Sequence, residues 1–290
     1  MIINQNKLLN LIHYNKEYQK LMKIKLKDYI NEFSRIEIEI ITKEKEYGKF
    51  IGYSRENKQI YFNDNEKEIK KKKITKDDNV TKIKIILNNK IKSLYKLFYE
   101  CKCIKKINFI KFNRNDIKDM SHLFYGCISL EEINFTKFNT NNVTNMTYMF
   151  NVCSSLKELN LSKFNTNNVN FMNQMFENCK SLEEINLSNF NTDNATNMSW
   201  MFKGCSSLKE LNLSNFNINN VTNMCGIFLG WFSLKELDLS NFSTNNVTDM
   251  SWIFKGCSSE ISLICSNDFN PQSPIPIEEV INYKTKWKYF

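Results

Sequence analysis

Residues 198–223 read MSWMFKGCSSLKELNLSNFNINNVTN, and the pattern returns every 26 residues on both sides of them. With Leu94, Met120, Met146, Met172, Met198, Met224 and Met250 set as position zero, seven units align. Phe recurs at position four, from Phe98 in the first unit to Phe254 in the seventh. Position seven holds Cys101, Cys127, Cys153, Cys179, Cys205 and Cys257, with Trp231 in the sixth unit. Leu or Ile follows at positions ten and thirteen, as in Leu156 and Leu159, and Phe returns at eighteen, as in Phe164 and Phe190. Self-similarity at such a period marks a repeat architecture, in which each unit is one supersecondary element.

Positions zero, three, four and seven have helical spacing and share one face, so the spacing predicts a short helical turn. Thr or Asn just before the Met is placed to cap it. Leu-Lys-Glu-Leu-Asn-Leu then has the period of two of a strand, with Leu159 and Leu161 on one side and Glu158 and Asn160 on the other. Asn-Thr-Asn-Asn-Val brings the chain back by turn chemistry. One unit cannot bury its apolar face alone, so neighbours must stack. The expected fold is an α/β repeat: a leucine-rich-repeat-like solenoid of seven 26-residue coils, each with one short parallel strand and a short helical turn. At about 4.8 Å per strand, such a stack is roughly 30 Å high.

The ends need caps. Residues 1–93 read as an N-terminal α+β capping domain, residues 94–266 as the solenoid and residues 267–290 as a C-terminal cap. Helices are expected over 4–22 and on to about 33, and strands near 35–42, 58–63 and 82–87. The last of these precedes Ile107 by one period and is expected to dock on the first coil. Leu263 and Cys265 keep the strand register of the seventh unit, and a short helix is expected over 277–288.

The run Asn-Val-Thr-Asn-Met-Ser-x-Met-Phe, followed by Gly-Cys-Ser-Ser-Leu-Lys-Glu-Leu-Asn-Leu-Ser, resembles the BspA-like leucine-rich repeat, the mycoplasma-type surface-protein repeat, over residues 94–266. The resemblance implies a leucine-rich-repeat-like solenoid, often found on cell surfaces and sometimes in adhesion. Phe stands here where an ordinary leucine-rich repeat carries a buried Asn ladder.

Hydrophobic residues are 42% of the 290, which excludes a disordered chain, and 7 Gly with 3 Pro exclude collagen-like sequence. No apolar run is long enough to span a membrane. The net charge of +9 resides entirely in residues 1–93, with Lys70, Lys71, Lys72 and Lys73 as its densest run. Such a run attracts phosphates or is simply a solvated loop; the solvated loop is the preferred reading, so nucleic acid is not an expected partner. Nine Cys, an odd number, sit mostly at one repeat position and point to reduced thiols. With no signal peptide or lipid anchor evident, the expected location is cytoplasmic, with the cell surface as the alternative.

Catalytic, cofactor and metal residues are not expected. The chain has 2 His, in unlike contexts, and no phosphate-binding Gly loop. The Cys residues share a face with Phe and Leu and read as core rather than as ligands. Binding sites are sought where units differ. Outward positions two, five and eight vary most, and position two carries Tyr148, Trp200, Gly226 and Trp252. The sixth unit adds Leu229 and Phe232. Tyr148, Trp200, Gly226, Leu229, Phe232 and Trp252 are therefore the candidate partner-binding residues, with a slot expected above Gly226 between two Trp rows. The competing reading is local packing, with Trp231 swung outward into the space left by Gly226. The expected function is a non-enzymatic, monomeric protein-interaction module; the alternatives are a BspA-like adhesin and, last, a nucleic-acid binder.

Overall fold

The computed structural model describes residues 31–53, 58–258, 261–266 and 268–269, and the backbone of 286–289. The helix expected over 4–22 lies outside these residues, whereas 31–34 are helical. The three expected N-terminal strands form as β1 (Ile36–Thr42), β3 (Lys58–Phe62) and β5 (Lys82–Leu87). Between them, β2 (Gly48–Lys49) and β4 (Lys73–Ile74) make a small antiparallel pair. The alternating Ile36, Ile38 and Ile40 of β1 are fully buried, as a one-sided apolar strand requires. The strand that docks on the first unit is β1, not β5. Sheet order is β3-β5-β1-β6-β7, where β6 is Ile104–Phe112 and β7 is Glu132–Asn134. Strand β1 runs antiparallel to β6, with Ile38 opposite Phe109 and Ile40 opposite Ile107. Position along the chain set β5 one period ahead of β6, but β1 has apolar contacts to offer both neighbours and takes the place between them.

The α/β leucine-rich-repeat-like solenoid is not what forms. No repeat unit contains a helix among the described residues, and the strands do not join into one continuous parallel sheet. Besides the five-stranded sheet and the β2–β4 pair, the described residues form only a pair, β8 (Glu158–Asn160) with β9 (Glu184–Asn186), and a triplet, β10 (Glu236–Leu239), β11 (Ser262–Cys265) and β12 (Lys286–Tyr289). Leu263 and Cys265 do keep register, opposite Leu237 and Leu239. Residues 286–288, the end of the helix expected over 277–288, instead belong to β12, which pairs parallel with β11.

Amide direction explains why positions zero to seven are not helical. Residue two of every unit has positive φ: Lys96, His122, Tyr148, Gln174, Trp200, Gly226 and Trp252. Position six does the same at Glu100, Gly126, Val152, Asn178, Gly204, Gly230 and Gly256. Each is the third residue of a tight turn closed by a bond such as Met149 N–H to Met146 O (3.2 Å) or Cys153 N–H to Phe150 O (3.0 Å). The intervening amides donate to the next unit instead of up a helix. His122 bonds Thr147 O, Phe124 bonds Met149 O and Gly126 bonds Asn151 O, at 2.8–2.9 Å. Isolated parallel bridges continue this stacking from Ser93 to Asp249 in 26-residue steps.

A left-handed residue is costly for a β-branched side chain, about 1–2 kcal/mol for an L-residue. Val152, with φ 59°, is the one such residue at position six. Val152→Gly is therefore expected to raise stability by about 1 kcal/mol, read as a higher urea midpoint. An unchanged or lower midpoint contradicts this account of the turn.

Inside, the position-four rings stack nearly parallel: Phe124 on Phe150 at 5.3 Å and Phe150 on Phe176 at 5.7 Å. A second column runs through Phe138, Phe164, Phe190 and Phe216. The cysteines are core, as their spacing suggests. All nine are free and buried, and burial raises the thiol of Cys179 to about 12. Their sulfurs also satisfy main chain: Cys153 Sγ donates to Phe124 O and Cys179 Sγ to Phe150 O, both at 3.1 Å. Strands are short because an Asn two residues ahead captures the following amide, as Asn160 does Ser162 and Asn186 does Ser188 (both 3.0 Å). No helix among the described residues is long and apolar enough to cross a membrane.

Candidate functional site

The turn that repeats at position two points one side chain outward per unit, and successive units align these side chains in a row. Near the first units the row is a tyrosine cluster around His122. Tyr148 stacks on His122 at 4.6 Å, and Tyr99 stacks on Tyr125 at 4.8 Å. Tyr95 meets His122 edge-on at 5.7 Å, and Tyr53, from the loop after β2, meets Tyr95 at 6.3 Å. The Lys96 ammonium lies over the rings of Tyr95 and Tyr99, at 5.0 and 4.8 Å. Burial, and then Lys96, lower the His122 pKa against the opposing pull of Asp119. Its Nδ1 is buried without a hydrogen-bond partner. The imidazole is therefore neutral near pH 7 and acts as one more ring of the cluster.

The middle of the row is polar and locked. Glu177, buried, accepts hydrogen bonds from Asn151 (2.9 Å) and Gln174 (2.8 Å) and pairs with Lys203 at 2.9 Å. The same ammonium sits 3.9 Å from the Trp200 ring, which begins the second aromatic group. There Trp200 and Trp252 meet edge to face at 5.9 Å across the small residue Gly226. A Cβ on Gly226 would lie 3.6 Å from Trp200 and 3.7 Å from Leu229, so these side chains close over the glycine. The slot expected between the Trp rows is thus filled by the indoles themselves.

The six residues singled out from sequence do not form one patch. Trp200, Gly226, Leu229 and Trp252 come together, Tyr148 belongs to the His122 cluster, and Phe232, 67% exposed, makes no ring contact with either group among the described residues. Trp231 turns inward and not out. It is 1% exposed and its indole N–H donates to Phe202 O at 2.8 Å, the same type of carbonyl the Cys thiols bond elsewhere. Sequence reasoning missed Tyr53, Tyr95, Tyr99 and Tyr125. Position five, which reads Tyr99 and Tyr125 in the first two units, carried a usable signal beside position two.

Aromatic faces, Lys96, Lys203 and Lys255 offer cation–π and stacking surface. Among the described residues no cluster of three His, Cys, Asp or Glu is placed to hold a metal. A family model described as "Mycoplasma protein of unknown function, DUF285" matches residues 92–210 and again residues 180–269. No curated protein and no solved structure matches the chain.

Proposed function

The chain belongs to the DUF285 family, the Mycoplasma proteins of unknown function, and we propose that this member is a non-enzymatic module that binds a protein partner on its aromatic row. One observation carries the reading. Buried positions barely change from unit to unit, while the outward row changes at every step and concentrates Tyr, Trp and Lys at its two ends. Large rigid rings with few rotatable bonds are the side chains that dominate binding energy at protein interfaces. The Trp200–Trp252 pair supports one anchor, since the indoles are held by each other and Trp200 by Lys203 before any partner arrives. Such pre-organisation lowers the ordering cost of association.

The test compares wild type with a Trp200→Ala, Leu229→Ala, Trp252→Ala triple variant in quantitative capture from native lysate. Loss of about 2 kcal/mol or more at a central anchor corresponds to at least about thirtyfold weaker retention. The variant is expected to keep its thermal midpoint within a few degrees, because none of the three is deep core. Equal retention of every captured protein by a folded variant would remove the Trp end of the row from the proposal.

A further inference from the structure

The strand face holds a second feature, independent of the aromatic row. Residues 157–161 and 209–213 have the same sequence, Lys-Glu-Leu-Asn-Leu. In the third unit this sequence builds β8 and pairs with β9. In the fifth unit it builds no strand, and its one main-chain bond to a neighbouring unit among the described residues is Lys209 N–H to Glu183 O at 3.4 Å. The amides of Glu210, Leu211, Asn212 and Leu213 have no main-chain partner among the described residues, and neither do the carbonyls of Glu210, Leu211 and Asn212. The side of β10 that faces them is also without a strand partner. The local sequence is unchanged, so the difference lies in the surroundings of the segment.

The sixth unit departs from the repeat pattern where it meets the fifth. Trp231 replaces the Cys of the other units and drives an indole edge-on against Phe202 and Phe228, at 6.1 and 5.1 Å. Phe202 and Phe228 are 6.4 Å apart, against 5.3–5.8 Å at every other step of that column. A brace is also lost. The hydroxyls of Thr140, Thr166 and Thr192 each clasp the following unit, donating to the carbonyl and accepting from the amide of Asn165, Asn191 and Asn217 respectively. The next position in this ladder is Ile218, which has no hydroxyl. A wedge on one side and a missing clasp on the other loosen the strand side of the junction between units five and six, while the turns stay joined, as by Trp200 N–H to Cys225 O at 2.8 Å, and Asn241 Nδ2 donates to Leu213 O at 3.0 Å at the far end. The opening is a groove of about 830 Å³ between residues 209–214 and β10. Glu210, Glu236 and Asp238 line it, with Lys235, while Lys209 is already paired with Glu183.

The geometry points to a docking groove for an extended basic peptide segment of a partner protein, which adds a strand beside residues 209–213. Unpaired main-chain donors and acceptors flanking a groove fit an added strand, whose own main chain supplies affinity. Three carboxylates against one uncommitted ammonium favour Lys or Arg on its outward positions.

A fluorescein-labelled Lys-Val-Lys-Val-Lys-Val amide tests this with the full chain. Saturable binding is expected for wild type. Trp231→Cys with Ile218→Thr restores the repeat pattern and is expected to close the groove, weakening binding about tenfold or more. As a measurement that needs no variant, the same peptide N-methylated at alternate amides is expected to bind wild type about tenfold more weakly, because it lacks the ladder donors. A Glu-Val-Glu-Val-Glu-Val peptide is expected to bind least, and the Trp200/Leu229/Trp252 variant as tightly as wild type, which separates this site from the aromatic row. No saturable binding of the basic peptide overturns the proposal. So does equal binding of the methylated peptide, or equal binding by a natively folded closed variant. Self-association of wild type that the closed variant lacks overturns it in favour of a second copy.

Discussion

Arg114→Met is expected to destabilise the chain by about 3 kcal/mol, the lower end of what breaking a buried ion pair costs when one partner remains. Arg114 stands in the first unit at the place of the Thr clasp, and it is 5% exposed. Its guanidinium bonds both carboxylate oxygens of Asp116, at 2.7 and 3.0 Å. It also donates to the carbonyls of Ser34 (3.5 Å), Asn88 (3.4 Å) and Ile91 (2.6 Å). One planar fork thus ties the end of the helical segment 31–34, the turn after β5 and the first unit together. Met fills the volume but leaves those carbonyls and Asp116 without their donor. For a chain of this size the loss corresponds to a fall of roughly 10 °C in thermal midpoint. The pH dependence has a definite sign. Arg114, and then Lys92, hold the Asp116 carboxyl well below the usual carboxylate range. A depressed folded pKa gives stability that is present above the unfolded value, about 4, and is lost as pH falls below it. The gap between wild type and Arg114→Met should therefore narrow between pH 7 and pH 2. A gap of constant size, measured by urea unfolding, would show that the carboxylate contributes nothing to it.

Gly52→Ala is expected to be comparably severe, about 3 kcal/mol, at the upper end of overpacking effects. A Cβ at this position would lie 2.4 Å from the Lys96 carbonyl oxygen and 2.8 Å from the Tyr99 amide nitrogen. Both are main chain, so no side chain can rotate away. The close approach exists because Gly52 N–H donates to Leu97 O at 2.6 Å and Tyr53 N–H to Lys96 O at 2.9 Å. These two bonds dock the loop after β2 onto the first repeat turn and set Tyr53 against Tyr95 in the aromatic row. Displacing the loop should lower the thermal midpoint by roughly 10 °C and expose the junction to proteolysis. A midpoint within a degree or two of wild type would mean that the loop relaxes freely and that the contact is dispensable.

The repeat period, the core columns and the buried cysteines were legible from residues alone. Each rests on identity recurring at fixed spacing, which needs no knowledge of neighbours: Phe98 to Phe254 and Cys101 to Cys257 keep their positions because stacked units present the same hole each time. Among the N-terminal strands β1 was legible for a similar local reason, the alternation of Ile36, Ile38 and Ile40. Turn and helix were not separable. Positions zero, three, four and seven share a face in either conformation, and only the direction of the amides, toward the next unit, selects positive φ at His122 and Tyr148 over a helix. Nor could spacing show which strand covers β6, because β1 and β5 are equally apolar and pairing is settled by which can fit between two neighbours. Sequence by itself determined that this chain repeats, what fills its interior and where its surface varies. Tertiary structure alone decided that Lys-Glu-Leu-Asn-Leu contains the paired strand β8 within residues 157–161 and an open edge at 209–213, because the hydrogen-bond partners belong to the adjacent units and not to the segment itself.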